Sequence, residues 1–401
     1  MRSHYHRLAF VIGLVLATAL LYGCGGGGDS SSSSSGEEAS STTSTEAPAA
    51  EESTGSEVHA TVLDKEIEES ETSLEALDVK LGDNTVSFAK DEPLKVAFNG
   101  FGKGFDYTVP EYEAAEQVGQ ELDLDVTSFD PRADPSLQIE QIQSVINSGQ
   151  YNALVIYPLA NELECDLLTK QAPAKGVVVV AFGYPACEED AATPGLLTTI
   201  PDTPSRETYT AWAERIVEDQ ENEGKKDGKA FLVTGPKTDW SSVLAAEVLE
   251  EVLGEGGIEV EQVIDTDFSQ AGSLPKIQDA LQANPDTTII VDQFPEGTAA
   301  TLTALKIAGK TGEIDVYGWG ANTPSVKGIE DGSLKMSVPY YPYTNVKTAL
   351  QALKLMRDGK EVPPYIPYAG HAPESMRTPG AEILFVEPEN VKEYAAKVQE
   401  Y

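Results

Sequence analysis

The sequence predicts an α/β protein of two lobes, each a parallel sheet flanked by helices. Three observations carry that prediction. From residue 94 onward, short apolar runs alternate with amphipathic helical stretches. Val177 to Phe182 is apolar at every position, as expected of a strand covered on both faces. The pattern continues for about 300 residues, more than one core comfortably holds, and it falls into two successive series.

The first series opens with a strand from Leu94 to Asn99. Residues 110–122 follow as a helix, with Ala114, Ala115, Val118 and Leu122 on one face. A strand at 124–129 leads to a helix at 136–147, where Leu137, Ile139, Ile142, Val145 and Ile146 recur at helical spacing and Gly149 marks the stop. Strand 153–157, helix 161–174, strand 177–182 and strand 196–200 complete this half. In the second series each helix precedes a strand: 205–222 and 230–234, 240–253 and 258–264, 273–283 and 287–292, 297–308 and 314–318, 324–331 and 334–338. A helix at 344–357 and a strand at 382–386 finish the chain. Ligands of such sheets sit beyond the carboxyl ends of the strands. With two lobes, that means a cleft between them.

A segment of a different kind comes first. Arg2 and Arg7 frame the start of an uncharged apolar run from Leu8 to Leu21, which has the dimensions of a secretory signal. It ends in Leu21-Tyr22-Gly23-Cys24, which resembles the bacterial lipobox. That resemblance implies lipid on Cys24, cleavage before it, and anchoring of the rest outside the cytoplasmic membrane. Gly25 to Gly28 and Ser30 to Ser35 then open a Gly/Ser and acidic stretch too poor in apolar surface to offset chain entropy. Residues 25–92 are therefore expected as a disordered tether and spacer, holding at most a short helix or strand around Val62, Ile67, Leu74 and Leu77. The expected organisation is 1–24 signal and lipobox, 25–92 tether, 93–202 with 340–380 one lobe, and 203–339 with 381–401 the other.

Composition excludes several function classes. The chain has 28 basic and 66 acidic residues, a net charge of −38, which argues against a nucleic-acid partner. The acidic surface suits a soluble exported protein; it permits a cationic ligand without implying one. Beyond Cys24, Cys165 and Cys187 form an even pair in an oxidising compartment and are expected as a disulfide. Such a bridge contributes on the order of 3 kcal/mol. No metal site is expected. Of four histidines, His4 and His6 lie in the signal, His59 in the spacer and His371 in a Pro-rich loop, so a Ser-His-Asp triad is unsupported. Asn99-Gly100-Phe101-Gly102-Lys103-Gly104 lacks the Lys-Ser/Thr ending of a phosphate loop. The expectation is a binding protein, with no cofactor and no catalytic residue.

The stretch 94–386 resembles the type I periplasmic sugar-binding proteins, the extracellular receptors of sugar ABC importers. The resemblance rests on Lys95-Val96-Ala97-Phe98-Asn99 with Phe101, on Gly149 to Ile156, on Pro201-Asp202, on Ala304 to Lys310, on Val316-Tyr317-Gly318 and on Gly328 to Leu334. It implies a ligand contact at Asn99, a stacking ring at Phe101 and a hinge Asp at Asp202. It also implies three chain crossings between lobes, near 201–203, 337–341 and 380–386. Elsewhere the chain departs from the family. Phe182-Gly183 stand where Asp-Arg is usual, Phe294-Pro295 where Asn-Asp is usual, and Tyr340 where Gln is usual. An Asp usual near Gly320 is missing, and so is an Arg about one turn after Trp240.

Chemistry enlarges the candidate set. Sugar capture takes aromatic planes and convergent polar groups. Strand ends offer Phe101, Phe105, Tyr107, Tyr157, Tyr184, Trp240, Phe294, Trp319 and Tyr340, with Asn99, Asp202, Arg206, Gln293 and Asn322 as polar candidates. Asp239, just before a helix, reads first as its N-cap. The expected function is capture of a sugar or sugar-like solute by a monomeric lipoprotein, for delivery to an ABC permease. The alternative is the same fold taking a nucleoside, an aromatic compound or a signal molecule, for a transporter or sensor kinase.

Overall fold

The computed structural model describes residues 59–187, 192–202, 204–225, 227–367 and 383–401. Within them lie twelve strands: β1 (Leu77–Leu81), β2 (Asn84–Phe88), β3 (Lys95–Asn99), β4 (Asp125–Phe129), β5 (Ala153–Ile156), β6 (Val178–Gly183), β7 (Thr198–Pro201), β8 (Lys229–Thr234), β9 (Glu259–Asp265), β10 (Ile289–Asp292), β11 (Asp315–Gly320) and β12 (Met336–Pro339). The helices are α1 (Asp64–Glu68), α2 (Val109–Glu121), α3 (Pro135–Ser148), α4 (Asn161–Asp166), α5 (Ala172–Ala174), α6 (Arg206–Asn222), α7 (Trp240–Glu255), α8 (Gln270–Ala283), α9 (Pro295–Ala308), α10 (Thr323–Asp331), α11 (Pro342–Arg357) and α12 (Val391–Lys397).

Two five-stranded sheets form, in the orders β4-β3-β5-β6-β7 and β12-β11-β10-β8-β9. Every pairing within them is parallel. The expected two-lobed α/β architecture is the one observed. The fully buried strands β5 and β6 are continuous apolar runs of the sequence, as helices on both faces require. One core gathers β8, β10, β11 and β12 with α6 and α7; another gathers β3, β5 and β6 with α2 and α11.

The chain passes between lobes after Pro201, where β7 ends, and again at Tyr340-Tyr341, between β12 and α11. The third crossing lies between Ile366, in the first core, and Ile383, in the second. Ile383 to Val386 pack in the second lobe, and residues 368–382, on which part of the expected crossing near 380–386 falls, lie outside the described residues. The strand expected at 382–386 is not a strand. It is reduced to one antiparallel bridge, Val386 to Ser337. Residues 161–174 also depart from the one continuous helix expected there: a π turn, Leu167–Gln171, separates α4 from α5. Pro173 has no N–H to donate four residues back, which favours such a widening. Cys165 and Cys187 are disulfide-bonded. Cys24 and His371 lie outside the described residues.

Residues 59–92 correct the tether expectation. β1 and β2 form an antiparallel hairpin whose Leu81, Val86 and Phe88, together with Leu63, are buried in the first-lobe core. Within the hairpin Leu77, Val79 and Leu81 alternate along β1 and Val86 and Phe88 along β2, so one face of a period-2 pattern joins the first-lobe core. Arg357, at the end of α11, is only 2% exposed. Its guanidinium donates to the carbonyls of Glu92, Ser73, Glu75 and Ala89, and it sits 5.7 Å from the Phe88 ring. Asp358 accepts from the Ser70 hydroxyl and the Ser73 N–H. Further back, the His59 ring stacks on Tyr343 at 4.0 Å, and Lys347 donates to the His59 carbonyl. Glu400, near the C-terminus, accepts from the Tyr343 and Thr344 N–H groups at the start of α11.

Arg357→Ala would leave four carbonyls without their donor. We expect it to lower unfolding free energy by about 3 kcal/mol, with Arg357→Lys recovering only part, as read by urea denaturation.

Candidate functional site

The carboxyl ends of β3, β5 and β6 carry Phe101, Tyr157 and Tyr184. Across from them, the loops after β8, β9 and β10 carry Trp240, Phe268 and Phe294. Phe101 is the centre of the first-lobe group, with ring centroids 5.2 Å from Phe105, 5.6 Å from Tyr107 and 5.4 Å from Tyr157. Rings also meet between lobes. Phe268 lies 6.3 Å from Phe101 and 5.2 Å from Phe294. Trp240 lies 5.2 Å from Tyr184, and Tyr340, at the second crossing, stacks on Tyr107 at 5.5 Å.

Two glycines make this arrangement possible. Gly183 ends β6 at φ +77°, and a Cβ there would come within 2.2 Å of the Tyr157 ring. A Cβ on Gly235 would come within 2.1 Å of Phe268. Phe268 itself has φ +61°, a left-handed conformation that costs a non-glycine residue on the order of 1 kcal/mol or more. Its ring packing against Gly235 and Phe294 holds it there.

The rings enclose a cavity of about 20 Å³, room for a single water. Eight of its eleven lining residues are aromatic; the others are Ser241, Pro295 and Glu296. Any ligand larger than a water enters only if the lobes part. A groove of about 430 Å³ runs alongside, between Leu159 to Leu163 of one lobe and Thr238 to Glu247 of the other. A roomier groove of about 680 Å³ lies against α2 and β4, on one lobe only; we place the site where both lobes contribute.

Under the rings runs a polar chain. The Tyr184 hydroxyl donates to Ser241 Oγ at 2.6 Å, and Ser241 donates to Asp239 at 2.7 Å. Asp239 also accepts from the Ser242 N–H, so it is the α7 N-cap that its position suggested. Gln293 Nε2 donates to Ser241 and to the Tyr209 hydroxyl. Burial pushes the Asp239 carboxyl up, against the hydrogen bonds that hold it down. Burial also raises the Tyr157 and Tyr340 hydroxyls, helped by other tyrosines and by the charge of Asp202. Glu296, in the first turn of α9, is pushed up to about 7, by burial first and then by the charge of Asp106.

The structure gathers Phe101, Phe105, Tyr157, Tyr184, Phe294 and Tyr340 at the cavity, with Trp240 at its rim and Gln293 beneath. Asp202 is buried beside them, its N–H donating to the Gly183 carbonyl. Four candidates belong elsewhere. Asn99 is turned to α3, where its amide donates to Gln141 and its oxygen accepts from Gln138. Arg206 is exposed and pairs with Glu247 at 2.6 Å. Trp319 is a core residue, 4.9 Å from Tyr209 and 4.8 Å from Trp212. Asn322 caps α10 by accepting from the Ser325 N–H. Sequence reasoning missed Phe268, Ser241 and Glu296. Phe268 obeys the same strand-end rule as its neighbours. Glu296 resembles any acid in a helical first turn, so nothing in the sequence marks it.

Glu296 yields a stability test. Its folded pKa lies above the usual carboxylate value of 4.5, so the fold favours the neutral form. Stability is lost as pH rises from about 4.5 through about 7. Glu296→Gln should therefore be more stable than the parent at pH ~8, by about 2 kcal/mol, with the gap closing at pH ~5 in urea denaturation.

Comparison with known proteins agrees with this architecture. The sequence pattern of the periplasmic binding protein domain matches residues 96–361. The D-xylose-binding periplasmic protein of Haemophilus influenzae is 27% identical over 236 residues, covering 57% of this chain and 67% of that protein. An ABC transporter solute-binding protein from Bacillus halodurans, solved with myo-inositol, superposes with a TM-score of 0.64 at 17% identity, over 77% of this chain and 99% of that one. The arabinose-transporter binding protein from Shewanella sp. ANA-3, solved with L-arabinofuranose, superposes with a TM-score of 0.62 at 17% identity, over 76% and 95%. The chain belongs to the periplasmic binding protein family, whose members carry solutes outside the cytoplasm and are not enzymes.

Proposed function

We propose that this protein captures a sugar or sugar-like cyclic polyol between its lobes and delivers it to an ABC importer. One observation carries the reading: aromatic rings from both lobes converge, at the carboxyl ends of parallel strands, on a single enclosed cavity. Rings of this kind stack on the apolar faces of a sugar, and the polar chain of Asp239, Ser241 and Gln293 lies within reach of its hydroxyl belt. The xylose-, inositol- and arabinose-binding relatives support that ligand class. Opening breaks the Tyr184–Ser241 hydrogen bond, and a ligand bridging both lobes replaces it, which favours closure. We further infer that Cys24 carries lipid and that the protein acts as an anchored monomer.

Calorimetry with D-xylose, D-ribose, L-arabinose and myo-inositol should find a ligand among them or their derivatives. Trp240→Ala should weaken it at least about tenfold, since a buried ring is worth about 1–3 kcal/mol. Undiminished affinity in both Trp240→Ala and Phe101→Ala would place the site elsewhere.

Anchoring has its own test. Cys24→Ser should shift the protein from the membrane pellet to the soluble fraction. Unchanged partitioning would remove the lipobox reading.

A further inference from the structure

The charge inside the cleft is one-sided. Glu296 lines the cavity, and among the described residues no lysine, arginine or histidine pairs with it or lines that cavity. Asp202, Asp239 and Glu111 lie close enough to act on the surrounding tyrosines by charge. Among the described residues, the cavity lining therefore combines aromatic faces with one carboxylate, Glu296, and no cation.

Two further groups are unspent. Tyr157 and Tyr340 are 3% and 7% exposed and line the cavity. Among the described residues neither hydroxyl has a hydrogen-bond partner. Each hydroxyl is free to donate, so these two suit a ligand that supplies oxygen atoms to accept from them.

We propose that the ligand is a cyclic polyol bearing an ammonium group, an amino sugar or aminocyclitol, with the ammonium seated among the rings against Glu296. Each part of such a molecule answers a feature of the cleft. Its ammonium supplies the counter-charge that the half-buried Glu296 carboxylate lacks, and aromatic faces attract cations by their quadrupoles. Its hydroxyls take the Tyr157 and Tyr340 donors, and its apolar ring face meets Phe101. A neutral sugar would leave Glu296 desolvated without a positive partner. The overall charge of −38 also draws cations toward the protein. This inference rests on the cleft being the ligand site.

The test uses matched pairs on the intact mature protein: D-glucosamine, D-galactosamine and D-mannosamine against D-glucose, D-galactose and D-mannose, by calorimetry at low salt. At least one amine should bind ten times tighter than its neutral parent. Glu296→Gln should bring the amine's affinity to within about twofold of its neutral parent's, and thermal unfolding of the variant confirms that it is folded. If no amine exceeds its parent, or if Glu296→Gln leaves the preference intact, the proposal is wrong. If neutral sugars bind the wild type and lose affinity in Trp240→Ala, the cleft reading survives that failure. If neither amines nor neutral sugars bind, both fall.

Discussion

Parallel pairing is the constraint on which the rest depends. Strands that run the same way end at the same edge, so each sheet delivers all its outgoing loops to one side. The chain then crosses between lobes after β7 and after β12, at those same edges. Two loop-bearing edges are thereby held face to face, and whatever the loops carry must meet. In this chain they carry rings. The interlobe contacts, the small residual cavity and the raised carboxyl groups all follow from bringing aromatic and acidic loop residues together away from water.

The family departures visible in the sequence acquire a physical sense. Gly183, where a polar residue is usual, is the space into which the Tyr157 ring fits. Phe294 and Tyr340, also at usual polar positions, become walls of the cavity. Together these rings form an aromatic box, and the glycines at 183 and 235 leave the room its rings need. The polar groups that remain are mostly engaged with one another, from Tyr184 through Ser241 to Gln293 and Tyr209.

Much of this was legible in the sequence because period and punctuation are local. The helix at 136–147 and the buried strand at 177–182 differ from α3 and β6 by one residue at each end or less. The cleft rings were legible as aromatics at strand ends. Direction was not. Asn99 follows the first strand as a ligand contact would, yet its side chain turns to Gln138 and Gln141 of α3, a choice set by tertiary packing. Residues 59–92 were misread for a related reason. Their few apolar side chains are insufficient to fold alone, and they become a core face only against α11 and Arg357, some 270 residues later in the sequence.

The packing of His59 has a mechanical consequence. His59 rests on Tyr343, two residues beyond the second crossing, and Glu400 caps the helix there. Any rotation of one lobe against the other turns about the crossings, and a point beside the axis has almost no lever arm. A pull arriving along the chain ahead of His59 would thus exert little torque on the lobes, and their opening would scarcely displace the attachment point. Rotation of the lobes and displacement of the chain at His59 are mechanically decoupled by this packing.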